Sequence, residues 1–136
     1  MTVHRTASEE GTVRAGRDLG ARLGPGSIVL LEGPLGAGKT AFVRGLAAGL
    51  GCDPDEVSSP TFTIVQEYRG PITLQHVDLY RLSPPEVDDL ALEDLPEDAV
   101  MAVEWPDRWR RAPAEAIRVT FAVTSPSTRE ITIARP

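Results

Sequence analysis

A glycine-rich segment between a short apolar run and an amphipathic pattern constrains the fold of this chain most. Residues 33–40, Gly-Pro-Leu-Gly-Ala-Gly-Lys-Thr, fit the pattern G-x-x-x-x-G-K-[ST] in full. The preceding run, residues 27–32, is rich in branched apolar residues and bounded by glycine, as expected of a strand buried in a parallel sheet. After the segment, apolar residues recur at helical period until Gly51. A strand, a tight turn and a helix in this order predict an α/β fold built around a P-loop.

The residues of the P-loop suit the binding of a nucleotide phosphate. The glycines permit backbone angles that side chains forbid, so successive N–H groups can converge on an anion, and the next helix points its positive end at the same oxygens. Lys39 then brings a full charge to the β and γ phosphates, and Thr40 offers a hydroxyl to magnesium. The alternative is a turn that merely joins strand to helix, which the flanking pattern disfavours. We predict nucleotide contacts from Gly33, Leu35, Gly36, Ala37, Gly38, Lys39 and Thr40.

The rest of the chain predicts further helices and strands around this motif. Thr6 followed by Glu9 matches a capping box, and Val13, Leu19 and Leu23 then fall on one helical face, with a glycine-proline-glycine stop at residues 24–26. Ser83, followed by prolines and by Glu86 three residues on, is expected to begin another helix as a capping box. A loop is predicted over residues 52–60, and strands over residues 62–68, 72–77, 99–103, 117–123 and 130–134. The pattern predicts a three-layer, P-loop NTPase-like α/β fold with a mostly parallel central sheet plus antiparallel strands.

Two acidic residues stand at the ends of predicted apolar strands. Asp78 is where P-loop proteins place the carboxylate of the magnesium shell, although a lone strand-ending aspartate is usually a turn former or helix cap. Glu104 ends a run in which a buried charge is costly unless a cation or a donor meets it. Bound magnesium is one such cation, and a solvated strand end is the alternative. In open α/β sheets ligands bind at this edge, so the residues favour a shared site.

Four other residues have both a structural and a functional interpretation, and Trp109 has a structural one. His76 is expected to be structural, with proton transfer the lesser alternative. Trp109 is expected in the core, whereas Trp105, beside Glu104, either packs there or lines a nucleotide or partner surface. Thr61 lies in a loop that is either a plain connection or a switch that senses the γ phosphate. Arg129 either contacts phosphate or base, or is a solvated surface group.

Length, charge and cysteine content limit the remaining function classes. With 136 residues and 41% apolar content, the chain is predicted to form a single domain over residues 1–136. Its net charge of −6 disfavours direct binding of nucleic acid or anionic membranes except through a local patch or a partner. Cys52 is the only cysteine, which excludes an internal disulfide. The longest apolar run is too short for a membrane span, and no leader pattern is visible, so a soluble cytoplasmic protein is expected.

Four segments together resemble the bacterial TsaE family, formerly called YjeE. They are the P-loop, Ser59-Pro60-Thr61-Phe62, His76-Val77-Asp78-Leu79-Tyr80-Arg81 and Glu104-Trp105-Pro106. Their order and combination are more specific than the P-loop alone, and the match weakens beyond Arg110. Two residues differ from the usual pattern of that family. Pro34 stands where the family commonly has aspartate, and Asp107 stands where glutamate is common.

The resemblance implies an ATPase accessory subunit for making threonylcarbamoyladenosine next to the anticodon of tRNA. It also implies two partner proteins: TsaD, which transfers the threonylcarbamoyl group, and TsaB. The protein would reach tRNA only through the complex with these partners, and its ATP hydrolysis would reset that complex between turnovers. By motif position, Thr40 and Glu104 match magnesium-binding residues, Asp78 matches the Walker B aspartate required for hydrolysis, and Thr61 matches the switch threonine.

The residues alone leave the reaction open between several classes. No base-reading motif such as Asn-Lys-x-Asp is present, so both ATP and GTP suit the pattern, and the resemblance implies ATP. A small-molecule kinase would need an acceptor pocket and usually an arginine-rich lid, neither of which is clear. A module that binds nucleotide without turnover is the other alternative. Because no separate arginine finger is identifiable, we expect weak intrinsic hydrolysis that a partner stimulates.

Overall fold

A computed structural model of the protein describes residues 1–58, 64–94 and 97–135. Its strands are β1 Thr2–Thr6, β2 Ile28–Glu32, β3 Val65–Tyr68, β4 Thr73–Asp78, β5 Ala99–Glu104, β6 Ile117–Ser125 and β7 Thr128–Ala134. Its α-helices are α1 Glu9–Gly20, α2 Lys39–Gly49 and α3 Pro84–Asp89. Short 3₁₀ turns lie at Pro54–Glu56, Leu92–Asp94 and Pro106–Arg108.

The strands form one seven-stranded sheet in the order β1-β7-β6-β2-β5-β4-β3. The four central strands are parallel, because β2 pairs in parallel with both β5 and β6, and β4 pairs in parallel with β5. The antiparallel pairs lie toward the two edges, β1 with β7, β6 with β7, and β3 with β4. The predicted α/β fold with a mostly parallel centre and added antiparallel strands is confirmed.

Hydrophobic clusters cover both faces of the central strands. Leu31 of β2 packs in the cluster that includes Phe42 of α2, whereas its neighbour Leu30 packs in the cluster that includes Val87 of α3 and Trp109. Alternating side chains along a strand therefore meet helices on opposite faces, which gives three layers. Trp109 is only 3% exposed, so its predicted place in the core is confirmed. Helices of the described chain are all too short or too polar to span a lipid bilayer.

The predicted capping box at Thr6 is wrong. Thr6 is the last residue of β1, which pairs antiparallel with β7, and the N-cap of α1 is Ser8, whose side chain accepts from the Gly11 N–H. The sequence of β1 is polar and carries little strand signal, so pairing with β7 decides its conformation. Thr6 is nevertheless buried, and its hydroxyl hydrogen-bonds that of Thr12 at 3.1 Å.

Most other predicted elements are present with shifted ends. Helix α1 stops at Gly20, before the predicted glycine-proline-glycine stop, and the predicted loop over residues 52–60 contains a 3₁₀ turn in its described part. Of the strand predicted at residues 62–68, the described part forms β3. Gly51 follows α2 with a φ of 84°, as expected of a helix stop. The Ser83 capping box is confirmed by reciprocal bonds with Glu86.

Candidate active site

The glycine-rich turn after β2 presents the start of α2 to an open cavity. Gly36 and Gly38 have φ values of 75° and 99°, a region that side chains disfavour. A Cβ on Gly33 would lie 2.8 Å from the Cβ of Phe121, so only glycine fits there. No described side chain caps the N-terminus of α2. Its first N–H groups are therefore available to an anion, which the partial positive charge of the helix end favours.

Lys39 is the only lysine of the chain and is 5% exposed. Its Nζ donates to the Gly33 carbonyl at 2.8 Å and lies 3.9 Å from the centre of the Trp105 ring. Burial lowers the pKa of Lys39, against the raising effect of the neighbouring carboxylates, of which Glu104 is the strongest. A poorly hydrated ammonium held this way is ready to meet an anionic ligand in the cavity.

Asp78 and Glu104 lie side by side at the ends of adjacent parallel strands. The register pairs Asp78 directly with Glu104, and both residues line the same cavity as Thr40. Burial is the main cause that raises the pKa of Asp78, and the charge of Glu104 raises it further. The sequence prediction that these two carboxylates share a site with the P-loop is consistent with this placement.

The oxygen donors at this edge fit a magnesium ion bound together with a phosphate. Among the described residues no group of three His, Cys, Asp or Glu side chains is arranged to hold a metal ion. Magnesium sites in nucleotide enzymes usually need only one or two carboxylates, because water and substrate phosphates supply the other ligands. Thr40 and Glu104 match that donor set, since both line the cavity beside the P-loop.

Trp105 lines the cavity and also packs against the hydrophobic cluster that includes Val87 and Trp109. Its backbone is left-handed, with φ 59° and ψ 52°, which is unusual for a bulky residue and turns the ring back over Lys39. The centre of the Tyr80 ring lies 5.0 Å from that of the Trp105 ring, with the two rings tilted by 45°, and the Arg108 guanidinium lies over both rings. Trp105 therefore lies between the core and the cavity, and its contact with a nucleotide or a partner stays a prediction.

The cavity has a volume of about 910 Å³ and runs across the carboxyl edge of the central strands. Its walls are the start of α1, the P-loop, the ends of β4 and β5, and the turn between β6 and β7. Arg129 lies in this last wall, where its guanidinium donates to Gly36 O at 3.3 Å and to carbonyls of the turn. Its guanidinium therefore lies beside the P-loop, and its contact with phosphate or base stays a prediction. Thr61, the predicted switch residue, lies outside the described residues.

Several cavity residues were not found from the sequence. Ser8, Glu9 and Thr12 form the wall contributed by α1, and Tyr80 and Arg81 follow β4. No local pattern indicates that the α1 residues lie beside the P-loop, because their position depends on the packing of α1 against α2 and on the pairing of β1 with β7. Tyr80 and Arg81 stood in a recognised segment, but nothing in their local pattern indicated a place in the cavity wall.

Replacing Asp78 by asparagine is expected to stabilise the folded protein. The raised pKa of Asp78 lies above its unfolded value, so ionisation costs folding free energy as the pH rises through that pKa. Asparagine keeps the acceptor that bonds the Tyr80 N–H at 3.0 Å but carries no charge. We expect a gain of about 0.5–1 kcal/mol near pH 7, measured by urea unfolding, which shrinks as the pH approaches about 4.

The matched control is Asp98→Asn, the same change at an exposed position. It should alter the free energy of unfolding by less than about 0.5 kcal/mol. A lower stability for Asp78→Asn than for the wild type at neutral pH would contradict this electrostatic interpretation.

Comparisons with known proteins agree on one family. The model of the family described as threonylcarbamoyl adenosine biosynthesis protein TsaE matches residues 6–131. A protein of a Nostoc species named tRNA threonylcarbamoyladenosine biosynthesis protein TsaE is 42% identical, over 98% of this chain and 85% of that protein. The protein of the same name from Treponema pallidum is also 42% identical, over 93% of this chain and 96% of that protein. The crystal structure of YdiB from Bacillus subtilis superposes with a TM-score of 0.81 and 32% identity, covering 98% of this chain and 84% of that one. This chain therefore belongs to the TsaE family, which acts in the biosynthesis of threonylcarbamoyladenosine in tRNA.

Proposed function

We propose that this protein is a magnesium-dependent ATPase that serves, in the cytoplasm, the machinery placing threonylcarbamoyladenosine next to the anticodon of tRNA. The observation that carries the proposal is the meeting of Lys39, Thr40, Asp78 and Glu104 along one cavity at the carboxyl edge of the parallel strands. A charged donor, a hydroxyl and two carboxylates beside a free helix N-terminus are the parts that phosphoryl transfer requires.

Each side chain has a proposed task. The P-loop amides and Lys39 bind the β and γ phosphates, and Arg129 adds positive charge near Gly36. Thr40 and Glu104 hold magnesium, which, when bound, neutralises charge on the phosphates. Asp78, beside Glu104 at the strand end, is the residue on which hydrolysis depends, and Thr61 is the proposed switch.

Partner proteins are proposed to complete and stimulate this site. Leu35 and Tyr80 are 67% and 43% exposed, although both are large hydrophobic residues of the cavity wall. Exposed apolar side chains beside a nucleotide site favour coverage by another protein. From the family, the proposed partners are TsaD and TsaB, and tRNA is reached only through their complex.

Phosphate release from magnesium ATP tests the proposal, with the protein alone and with TsaB and TsaD. We expect slow release alone, stimulation in the mixture, and loss of at least about 100-fold for Asp78→Ala and for Glu104→Ala. EDTA should abolish release from the wild type. Folded complex that releases no phosphate above background, or that phosphorylates a small acceptor instead, would exclude this function.

A further inference from the structure

His76 is a buried residue directly beside Glu104. The parallel register of β4 and β5 sets His76 opposite Ala102, two residues before the Asp78–Glu104 pair. Leu74 and Ala102 pack in the cluster beneath α2, and alternation along the strands puts His76 and Glu104 on this same face. His76 is 0% exposed, so its imidazole lies wholly inside the protein.

The contact between the two side chains is a short hydrogen bond. His76 Nε2 lies 2.5 Å from Glu104 Oε2, and the side chains are 0% and 7% exposed. His76 Nδ1 is also buried but has no hydrogen-bond partner among residues 1–58, 64–94 and 97–135. A bare lone pair at Nδ1 is less costly there than an unpaired N–H, so Nε2 carries the hydrogen and donates it to Glu104.

This hydrogen bond restrains one carboxylate oxygen of Glu104. A glutamate side chain has several rotatable bonds, and holding it in one orientation otherwise costs conformational entropy when a ligand binds. With Oε2 occupied by His76, Oε1 is the oxygen left for a ligand in the cavity that Glu104 lines. The Tyr68 ring lies 6.3 Å from the imidazole at 38° and packs beside it, which limits its rotation.

We infer that His76 is a positioning residue for metal binding, which holds Glu104 with one oxygen directed to the magnesium of the bound nucleotide. The inference rests on the proposed function, because it needs Glu104 to be a metal ligand. Hydrogen bonds to the far side of a metal-ligating carboxylate raise metal affinity by fixing the ligand before the metal arrives. His76 itself contacts neither nucleotide nor metal in this account.

A merely structural histidine would behave differently when replaced. His76→Leu places an apolar side chain of similar size in the core and removes the hydrogen-bond donor to Glu104. His76→Gln restores an N–H at the reach of Nε2, whereas the amide of His76→Asn is one bond shorter. If His76 only fills space, the leucine variant should bind metal as tightly as the wild type. The glutamine and asparagine variants should then have equal metal affinities.

The experiment measures manganese binding by electron paramagnetic resonance with ADP present, and ADP binding in EDTA by calorimetry. We expect His76→Leu to bind manganese about 10–100-fold more weakly than the wild type, while its affinity for ADP in EDTA is unchanged. His76→Gln should recover most of the manganese affinity. Thermal unfolding of each variant establishes that it is folded.

Other outcomes would overturn the inference. Equal losses in the two binding measurements would show a structural role, and no loss in either would show that the hydrogen bond is irrelevant to the metal. If the leucine variant does not fold, the glutamine and asparagine variants still test the inference. Equal manganese affinity in these two variants would overturn it. A wild type that binds no manganese with ADP would instead contradict the proposed function itself, and the role of His76 with it.

Discussion

Replacing Lys39 by methionine is expected to slow phosphate release by about 10²–10³-fold and to weaken binding of magnesium ATP. The ammonium is the only positive charge of the P-loop, and it lies inside the cavity between the Gly33 carbonyl and the Trp105 ring. Methionine keeps the unbranched stem beside the indole but has no charge for the β and γ phosphates. Calorimetric titration and a phosphate-release assay measure the two effects.

The fold should survive this change, which makes the functional loss interpretable. Burial lowers the pKa of Lys39, so removing the charge relieves a desolvation cost that offsets the lost hydrogen bond to Gly33. Lys39→Arg is the matched control, because it keeps the positive charge. Its guanidinium is planar and bulkier than the ammonium, so we expect phosphate release to stay slow in this variant as well. Nucleotide affinity equal to that of the wild type in Lys39→Met would contradict the assignment.

The wild type offers a second measurement, because Lys39 is the only lysine. An amine-reactive reagent can modify just this side chain and the N-terminus. Magnesium ADP should slow the modification of Lys39 and leave that of the N-terminus unchanged. This test reports occupancy of the P-loop without relying on hydrolysis.

The strand, turn and helix around the P-loop were predictable because their signals are local. An apolar run predicts the buried strand β2, and the glycines after it occupy the left-handed backbone positions of the turn. The apolar residues that recur at helical period immediately afterwards predict α2. Each step depends on neighbours only a few residues apart. The same locality explains why the capping box at Ser83 was predicted correctly.

The meeting of Asp78 and Glu104 depends on strand order, which no local pattern encodes. β5 lies between β2 and β4, so the residues ending β4 and β5 become neighbours beside the P-loop although they are far apart in sequence. The general rule that ligands bind at the carboxyl edge indicated the site, and the resemblance to TsaE proteins indicated the roles. The contact between His76 and Glu104 follows from the same register and was not foreseen.

The wall formed by α1 was missed because its cause is a long-range packing contact. Gly16 and Gly20 of α1 meet Gly45 and Gly49 of α2, and a Cβ at any of them would lie within 2.6 Å of a backbone oxygen of the other helix. Glycine disfavours helices by about 1 kcal/mol relative to alanine, so four of them at this crossing indicate a requirement for close approach. That approach carries Ser8, Glu9 and Thr12 to the cavity.

Gly45→Ala is accordingly expected to destabilise the protein by about 3 kcal/mol or more, despite the better helix propensity of alanine. Its new Cβ would lie 2.0 Å from the Val13 carbonyl oxygen and 2.7 Å from the Arg17 nitrogen, backbone atoms that move only if α1 shifts as a whole. Urea unfolding measures the loss, and nucleotide affinity should fall with it because α1 forms one wall of the cavity. Gly24→Ala is the control, since a Cβ there meets nothing within 4 Å and should change stability by less than about 1 kcal/mol. Wild-type stability in Gly45→Ala would mean that the two helices do not need their backbones in contact, and the position of the α1 wall would then need another explanation.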